Sequence, residues 1–244
     1  MKKITLIFLM FFLSFLGFSQ EGFESGIPAS WATFGLGSGS NQWGVIEPTN
    51  SPPCEGTWAA SVNVRQGIRA GNSTEKWLVT DQKLIPADGE LRFCVNTNLA
   101  GDNLSKLHIK ISTTSQTDVL TFEEKRTFTE TQVPAGSQPF MDVVIPLPEY
   151  RNSNVYIAFV VEYTQETPSV NGDRWFLDNV RITQQCNAPT NPLVPSSNIT
   201  MTSAVLQWTG TAPQYEVEVF EFPNTSLGRF TVTGTSVNTA TLGI

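Results

Sequence analysis

Short runs in which apolar and polar residues alternate recur between residues 23 and 183, and clusters of Gly, Pro, Asn, Asp and Ser separate them. This spacing predicts β-strands, because successive side chains of a strand point to opposite faces of a sheet. The clearest run is 106–112, with Leu107, Ile109 and Ile111 on one face and His108, Lys110 and Ser112 on the other. Further strands are predicted at 22–28, 77–79, 90–95, 118–122, 140–147, 155–161 and 172–182.

Two of these runs indicate how the strands are arranged. Residues 155–161 are apolar on both faces, as expected for a strand in the centre of a sandwich. Residues 172–182 place polar side chains within an apolar ladder and form the last predicted strand of the region. A set of about eight to ten strands in roughly 160 residues predicts one β-sandwich or jelly roll with a single core.

The composition changes at residues 185–195, where prolines 189, 192 and 195 predict a stiff joint. Beyond the joint, alternation predicts four more strands, at 204–208, 215–219, 229–233 and 237–242. A complete Ig-like sandwich needs about 100 residues and seven strands. Residues 196–244 therefore predict an incomplete Ig-like sandwich.

The first residues have the pattern of a secretory signal peptide. Lys2 and Lys3 precede an apolar run at 4–18, and Gly17-Phe18-Ser19 supplies small residues for cleavage near Ser19. The alternative is a membrane anchor, but this run is shorter than the roughly 20 residues that a span requires. We expect residues 1–19 to be removed and the mature protein to be secreted or held at the cell surface, without inserting into the membrane.

The net charge of the mature chain disfavours two classes of partner. Cleavage removes two of the 15 basic residues and none of the 22 acidic ones, so the mature chain has a net charge of −9. An acidic surface repels nucleic acids and anionic membranes, which disfavours both as partners. The same acidity is compatible with Ca²⁺, which binds carboxylate and carbonyl oxygens.

The three cysteines, Cys54, Cys94 and Cys186, fit an exported protein with one disulfide and one free thiol. Cys54 and Cys94 are the preferred pair because both lie in the first domain. Three unpaired thiols in or near the core remain the alternative. Because no cysteine spacing suits zinc and His108 is the only histidine, a structural zinc site is not expected.

A series of short motifs resembles the cleaved-adhesin or choice-of-anchor J family, whose members are MAM-like jelly rolls of secreted Bacteroidetes surface proteins. In chain order the motifs are GFESGIPASW at 22–31, NQWG at 41–44, CEG at 54–56, WLVT at 77–80, VYIAF at 155–159 and FLDNVRI at 176–182. Downstream, Cys186-x-Ala188-Pro189, Trp208 and Tyr215-x-Val217-x-Val219 resemble a fibronectin type III domain. The resemblance implies an all-β chain. A jelly-roll domain (MAM/concanavalin-like) at 20–184 would precede an incomplete fibronectin type III sandwich at 196–244.

The family resemblance also implies a structural Ca²⁺ site where the first and last strands of the jelly roll meet. Glu24 matches the glutamate of the family's entry motif and Asp178 the aspartate of its closing motif, and Asn179 and backbone carbonyls could complete the shell. The alternative is that Glu24 and Asp178 are solvated strand-end residues, or that they pair with Arg174 or Arg181.

Five tryptophans fall within the first domain, and jelly rolls often bind sugars by stacking them on exposed aromatic rings. Trp43 and Trp58 lie in an irregular Gly-, Ser- and Pro-rich region and are the best candidates for ligand binding. The alternative is that these rings fill the core, where Trp is usually largely buried.

Little in the sequence predicts an enzyme. A Ser-His-Asp triad would have to use His108, which lies mid-strand, and no G-x-S-x-G motif surrounds a serine. Pairs drawn from Glu123, Glu124, Glu162 and Asp173 could occur by chance among abundant acidic residues. We therefore expect a non-catalytic protein for adhesion or ligand binding, with an extracellular glycan or protein as partner. The alternatives are an accessory module of a secreted peptidase or glycosidase and a structural spacer.

Overall fold

The computed structural model describes residues 20–65, 70–166, 172–185, 189–200, 203–210, 214–221 and 225–242. The predicted signal peptide and Cys186 lie outside these residues. Within them the secondary structure is β-strand with a few short 3-10 helices, so the prediction of an all-β fold is confirmed.

Before the joint, the residues that the structure describes form eleven strands in chain order. These are β1 (Ala32–Gly37), β2 (Gly44–Ile46), β3 (Ala59–Asn63), β4 (Ser73–Val79), β5 (Lys83–Leu84), β6 (Gly89–Thr97), β7 (Ser105–Ser112), β8 (Glu123–Thr129), β9 (Met141–Pro146), β10 (Asn154–Thr164) and β11 (Arg174–Gln184). The 3-10 helices of this part are Val119–Thr121, Glu130–Gln132 and Pro148–Tyr150.

These strands make two antiparallel sheets that pack face to face. The first sheet has the order β1-β4-β10-β7-β8, with β5 also paired to β10, and the second has the order β2-β3-β11-β6-β9. Phe93 of β6 contacts Phe159 of β10 edge to face at 5.2 Å between ring centroids, which joins the two sheets. The Trp175 indole N–H donates to Ser105 Oγ at 2.8 Å across the same interior. One continuous core therefore fills the sandwich.

The two strands singled out from the sequence both lie in sheet interiors. β10 pairs with β4 on one side and β7 on the other, which confirms the central position predicted for 155–161. β11 pairs with β3 and β6, so the last predicted strand lies in the middle of its sheet rather than at an edge.

Two strand predictions were wrong. Residues 118–122 contain a 3-10 helix, because the Asp118 side chain caps it by accepting from Leu120 N at 3.1 Å. In the run 22–28 the chain turns at Gly26, which has a positive φ of 96°. Near this run, pairing is limited to an isolated bridge between Glu21 and Val180.

Strands β1, β2, β3, β5 and β8 were not predicted. β2 and β5 are too short to show a pattern, and the residues of the other three do not alternate clearly. Four consecutive residues of β3, Ala59 to Val62, are all buried. The first sheet covers one face of this strand, and other parts of the chain cover its other face. The outer face of the first sheet is also partly covered. There Phe34 stacks on Trp77 at 5.5 Å and Phe122 packs against it edge to face.

From residue 189 onward, the described residues form five strands in two small sheets: β12 (Thr190–Leu193), β13 (Val205–Thr209) and β16 (Ser236–Asn238) in one, and β14 (Gln214–Glu221) and β15 (Thr225–Thr233) in the other. β12 lies within the predicted joint, and the other four strands lie beyond it. Two 3-10 helices, Ser196–Asn198 and Thr239–Leu242, complete this part. Its buried cluster consists of Trp208, Tyr215, Val232 and Val237. The four strands predicted here are present, although the last ends early in a helix. The fibronectin type III resemblance and the domain boundaries stay predictions.

Candidate functional site

The loop between β2 and β3, residues 47–58, lies across the outer face of the second sheet, and we call it the cross-sheet loop. A disulfide joins its Cys54 to Cys94 of β6. Phe93 and Val95, on either side of Cys94, belong to the core, so Cys94 faces outward. The bridge therefore fixes the cross-sheet loop to the outside of the sandwich.

Both carboxylates of the predicted calcium site also hold this loop. Asp178 Oδ2 accepts a hydrogen bond from Glu55 N at 2.8 Å. Glu24 Oε1 accepts from Thr57 N and from Trp58 N, each at 2.8 Å. Residues 24 and 178, far apart in sequence, thus meet at one short stretch of backbone. We call this arrangement the carboxylate clasp: Glu24, Asp178, Asn179 and the backbone of 54–58.

The backbone at the clasp adopts conformations that suit its residue types. Gly56 has a φ of +58°, and a Cβ placed there would lie 2.3 Å from Glu24 Cδ. Asn179 has a φ of +53°, in the left-handed region that Asn enters more readily than most residues. It lies in β11 where the pairing with β6 shifts register, between Asp178 and Arg181. A glycine and an irregularity in the strand therefore let the loop approach the carboxylates.

Two residues of the clasp carry buried acceptor oxygens without a donor. Asp178 is fully buried, and this burial raises the pKa of its carboxyl group to about 6, with the nearby Glu55 charge acting in the same direction. Backbone N–H groups of the loop and of Asn179 act in the opposite direction. Among the described residues, neither Asp178 Oδ1 nor Asn179 Oδ1 has a hydrogen-bond partner. Unpaired oxygens of this kind are ligands that Ca²⁺ uses.

Two further observations bear on the clasp. In the part of the chain that the structure describes, Asp178 forms no ion pair with either Arg174 or Arg181, while Arg181 donates to Asn179 O at 3.0 Å. No group of three or more His, Cys, Asp or Glu side chains within the described ranges is arranged to hold a metal. A cation at the clasp would therefore depend on Glu24, Asp178, the Asn179 amide oxygen and backbone carbonyls.

A cavity of about 100 Å³ opens beside the clasp, between the cross-sheet loop and the outer face of the second sheet, and we call it the outer groove. Its floor comes from β11 and β6, and Ile46 and the first residues of the loop form its wall. It is lined by Ile46, Glu47, Pro48, Thr49, Asn50, Ser51, Asn96, Thr97, Asn98, Gly136, Phe140, Arg174 and Phe176.

Strand periodicity explains which side chains reach the groove. In β11, Trp175 and Leu177 face the core, so Arg174 and Phe176 face outward. Asn96 of β6 lies opposite Phe176 in the register. The Phe140 ring lies 6.2 Å from that of Phe176, tilted by 52°. The groove thus combines an aromatic pair with polar side chains from two neighbouring strands.

Two polar side chains of the groove have unused hydrogen-bonding capacity. Asn96 is buried, its Nδ2 donates to Gln138 O at 2.7 Å, and its Oδ1 has no partner among the described residues. The Arg174 guanidinium, half-buried, forms no ion pair or hydrogen bond with any residue that the structure describes. The Arg174 guanidinium is therefore available to a ligand, whereas Asn96 Oδ1 is buried below the surface of the groove.

The two tryptophans predicted to bind ligand differ in exposure. Trp43 is only 5% exposed, and its indole N–H donates to Lys76 O at 2.9 Å. A ring buried in this way has no open face for a sugar, so for Trp43 the prediction of a stacking platform was wrong and the core alternative holds. Trp58 remains a candidate because its side chain is 40% exposed. Its backbone N–H belongs to the clasp.

His108 lies on the outer face of the first sheet between two carboxylates. Its Nδ1 is 2.9 Å from Glu124 Oε2, and its Nε2 is 3.0 Å from Glu162 Oε2. Thr127 Oγ1 is also 2.9 Å from Nδ1. These contacts tie β8, β7 and β10 together across their outer face.

The sequence analysis missed the groove. Phe140, Phe176 and Arg174 lie in predicted strands, but the sequence does not show that Asn96 lies beside them or that residues 46–51 cover them. One signal was present: in 172–182 the polar Arg174 and the aromatic Phe176 occupy alternate positions opposite the core face.

No family model matches the sequence, and neither does any curated protein. Among solved structures, the K1 cleaved adhesin domain of Lys-gingipain from Porphyromonas gingivalis W83 is similar, with 19% identity and a TM-score of 0.50 over 68% of this chain and 98% of that one. The K3 domain of the same protein has 20% identity and a TM-score of 0.46, covering 68% and 98%. A structure of TmCBM61 with β-1,4-galactotriose has 16% identity and a TM-score of 0.44, covering 68% and 95%.

The likeness to the K1 domain shows the fold. The chain has an adhesin-like β-sandwich. At this level of identity the likeness does not extend to what the chain binds. Within the described residues, no helix has the length and apolar character needed to cross a membrane.

Proposed function

We propose that this chain is an exported, non-catalytic binding module that holds an extracellular glycan or protein in the outer groove. A calcium ion in the carboxylate clasp would have a structural role. The observation that carries the proposal is the groove, which is lined by the half-buried ring of Phe140 and by Arg174, whose guanidinium has no partner among the described residues. The N-terminal sequence and the disulfide support export.

The wall of the groove is held in place without a ligand. The cross-sheet loop is attached by the disulfide near its end and by three hydrogen bonds to the carboxylates of Glu24 and Asp178. A site that is already ordered loses less conformational entropy when it binds. This arrangement suits recognition of a ligand.

Binding is tested with the mature chain, residues 20–244, applied to a glycan array and to a panel of immobilised extracellular matrix proteins. We expect binding to at least one target, and we expect the double variant Arg174→Met/Phe140→Ala to lose it. The double variant Arg151→Met/Phe122→Ala is the matched control, because it removes an exposed arginine and a half-buried phenylalanine that do not line the groove. Binding that survives the groove variant, or no binding to any target, would contradict the proposal.

The calcium site rests on the unpaired acceptors of the clasp. Ionising a buried carboxylate is unfavourable unless a charge or donors compensate, and a divalent cation next to Asp178 Oδ1 would supply that compensation. The Asn179 amide oxygen could contribute in the same way. When bound, the ion would supply positive charge that holds the first residues of the domain, the cross-sheet loop and β11 together.

The calcium proposal is tested by thermal unfolding. We expect EDTA to lower the melting temperature of the mature chain, calcium to restore it, and Asp178→Ala to remove this response. Asp173→Ala is the matched control, since Asp173 is equally buried and accepts backbone hydrogen bonds but lies outside the clasp. That variant should melt lower and still respond to EDTA. A melting temperature of the unaltered chain that EDTA leaves unchanged would contradict the site.

A further inference from the structure

Arg174 carries a positive charge that no described residue pairs with. Its side chain is half-buried and lines the outer groove. Arg92, Arg181 and Arg229, by contrast, each have a carboxylate within ion-pair distance. Removing part of a charged group from water without a partner costs free energy. A negative group bound in the groove would offset this cost.

A second arginine adds positive charge near this end of the sheet. Asn63 of β3 is the register partner of Arg174, and Arg65 follows two residues later. The Arg65 charge acts against the increase in the pKa of Asp173, the residue next to Arg174, so it lies close to the groove. The side chain of Arg65 forms no ion pair with a residue that the structure describes. Two such charges create a locally positive potential on an otherwise acidic chain.

Glu47 is the only carboxylate among the residues that line the groove, and it limits this potential without cancelling it. It is exposed and forms no ion pair with Arg174. Water and salt screen an exposed charge more strongly than a partly buried one. Glu47 should therefore weaken the binding of an anion, and its removal should strengthen it.

The geometry of a guanidinium favours a carboxylate as the negative group. Both groups are planar, so the guanidinium can donate two parallel hydrogen bonds to the two carboxylate oxygens. The cavity of about 100 Å³ is well below the roughly 300–1,000 Å³ of pockets that enclose drug-sized ligands, so it accommodates one unit of a larger molecule. The net charge of the mature chain disfavours a densely anionic polymer. The carboxylate is therefore an isolated one.

The rest of the accessible lining suits a sugar as the carrier of this carboxylate. Phe140 is half-buried, and the C–H groups of a pyranose ring pack favourably against the face of an aromatic ring. Thr49 and Asn50 are exposed and Asn98 is half-buried, and their side chains are of types that hydrogen-bond to ring hydroxyls. The core of a protein–protein interface is more apolar than this lining.

Resting on the binding function proposed above, we propose that the outer groove holds one acidic sugar, an isolated uronic or sialic acid unit of an extracellular glycan. The Arg174 guanidinium donates to both oxygens of the sugar carboxylate. The ring of the sugar packs beside Phe140.

The test uses calorimetry and saturation-transfer NMR on the mature chain. The probes are the methyl glycosides of glucuronate, galacturonate and N-acetylneuraminate, each compared with its own methyl ester, which keeps the ring and removes the charge. We expect at least one acid to bind and its ester to bind about tenfold or more weakly, because a hydrogen-bonded charge pair is lost. Raising the ionic strength should weaken binding of the acid more than binding of the ester.

Variants assign this preference to the groove. Arg174→Met should bring the affinity for the acid down to that for the ester. It should also melt no lower than the unaltered chain, because no partner is lost. Arg151→Met is the matched control, since it removes an exposed arginine outside the groove and should leave the preference intact.

Two further variants separate charge from packing. Glu47→Gln should strengthen binding of the acid and leave binding of the ester unchanged, whereas Glu166→Gln, which removes an exposed carboxylate elsewhere, should change neither. Phe140→Ala should weaken acid and ester by the same factor, and Phe122→Ala, outside the groove, should affect neither.

The outcomes also separate this inference from the proposed function. If an ester or another neutral sugar binds as tightly as the acid, or if only a protein binds in the groove, the acidic sugar is ruled out while the binding function stands. A preference for the acid that persists in Arg174→Met overturns the site. If neither sugars nor proteins bind, the inference and the function fall together.

Discussion

Gly56 leaves no room for a side chain at the carboxylate clasp. Its φ of +58° disfavours any residue with a Cβ, and that Cβ would overlap the Glu24 carboxylate. We expect Gly56→Ala to destabilise the fold more than Gly101→Ala, where φ is +90° but the space beyond is open. The difference should be roughly 1 kcal/mol for each backbone N–H that loses Glu24. Urea unfolding measures both variants.

A second substitution checks the cause of this difference. In a Glu24→Ala background the three atoms nearest to a Cβ at position 56 are gone, so the cost of Gly56→Ala should fall towards the backbone strain of Gly101→Ala. An equally large difference in that background would show that Glu24 is not the reason.

Asp173 should make stability depend on pH in a direction opposite to that of most carboxylates. It is fully buried, and burial raises its pKa to about 6, while hydrogen bonds from Leu99 N and Arg174 N act against the increase. Glu130 contributes to the increase and Arg65 opposes it. The folded state therefore binds the proton more tightly than the unfolded state, whose pKa is near 3.8.

The direction of this pH dependence follows from the number of protons that each state binds. Between about pH 4 and pH 6 the folded state holds more protons than the unfolded state at this site, so the Asp173 contribution to stability falls as pH rises. A shift of about two units corresponds to roughly 3 kcal/mol. We expect the difference in unfolding free energy between pH 4.5 and pH 6.5, measured in EDTA, to shift in Asp173→Asn by an amount of this order. An identical pH dependence in the variant would rule out Asp173 as a source.

At the scale of elements, the cross-sheet loop belongs to the clasp and the groove at once. Residues 47–51 help to line the groove, whereas residues 54–58 contact Cys94, Asp178 and Glu24. A change that loosens the loop at one end should therefore also disturb the position of the other end.

Removing the disulfide tests this connection. The bridge closes a segment of 40 residues, and a cross-link of that length stabilises a fold by roughly 2–4 kcal/mol. We expect Cys54→Ser/Cys94→Ser to lose stability by about this amount and to bind the groove ligand more weakly, because the wall is no longer fixed. Denaturation and calorimetry measure the two effects.

Reduction provides the matched comparison. Dithiothreitol should bring the unaltered chain to the stability of the double variant and should leave the double variant unchanged. If ligand affinity is the same with and without the bridge, the groove wall does not depend on it.

For the whole molecule, the buried clusters suggest two units of stability. The sandwich core and the cluster of Trp208, Tyr215, Val232 and Val237 are made of different residues from different parts of the chain. Calorimetry of the mature chain should show two unfolding transitions. Phe159→Ala should lower the unfolding free energy of the sandwich by roughly 3–5 kcal/mol. Trp208→Ala should destabilise the unit that contains the second cluster. One transition that both substitutions shift equally would show a single cooperative unit.

Much of the fold was predictable because its signals are local. A strand that buries one face alternates along the chain, as in 106–112, and a strand that buries both faces is uniformly apolar, as in 155–161. The strand predictions failed for two different reasons. Asp118 bonds to its own backbone and forms a helix turn, and β3 is covered on both faces and shows no alternation.

The sequence by itself determined the all-β class, most strand positions, and the two carboxylates that the family resemblance singled out, Glu24 and Asp178. Only the tertiary structure decided what these carboxylates contact, since the bond from Glu55 N to Asp178 spans 123 residues. It also placed Trp43 in the core and brought Asn96, Phe140 and Arg174 to one cavity. The physical reason is that periodicity along a chain records which face of a strand is buried. Which distant loop covers that face depends on how the sheets pack.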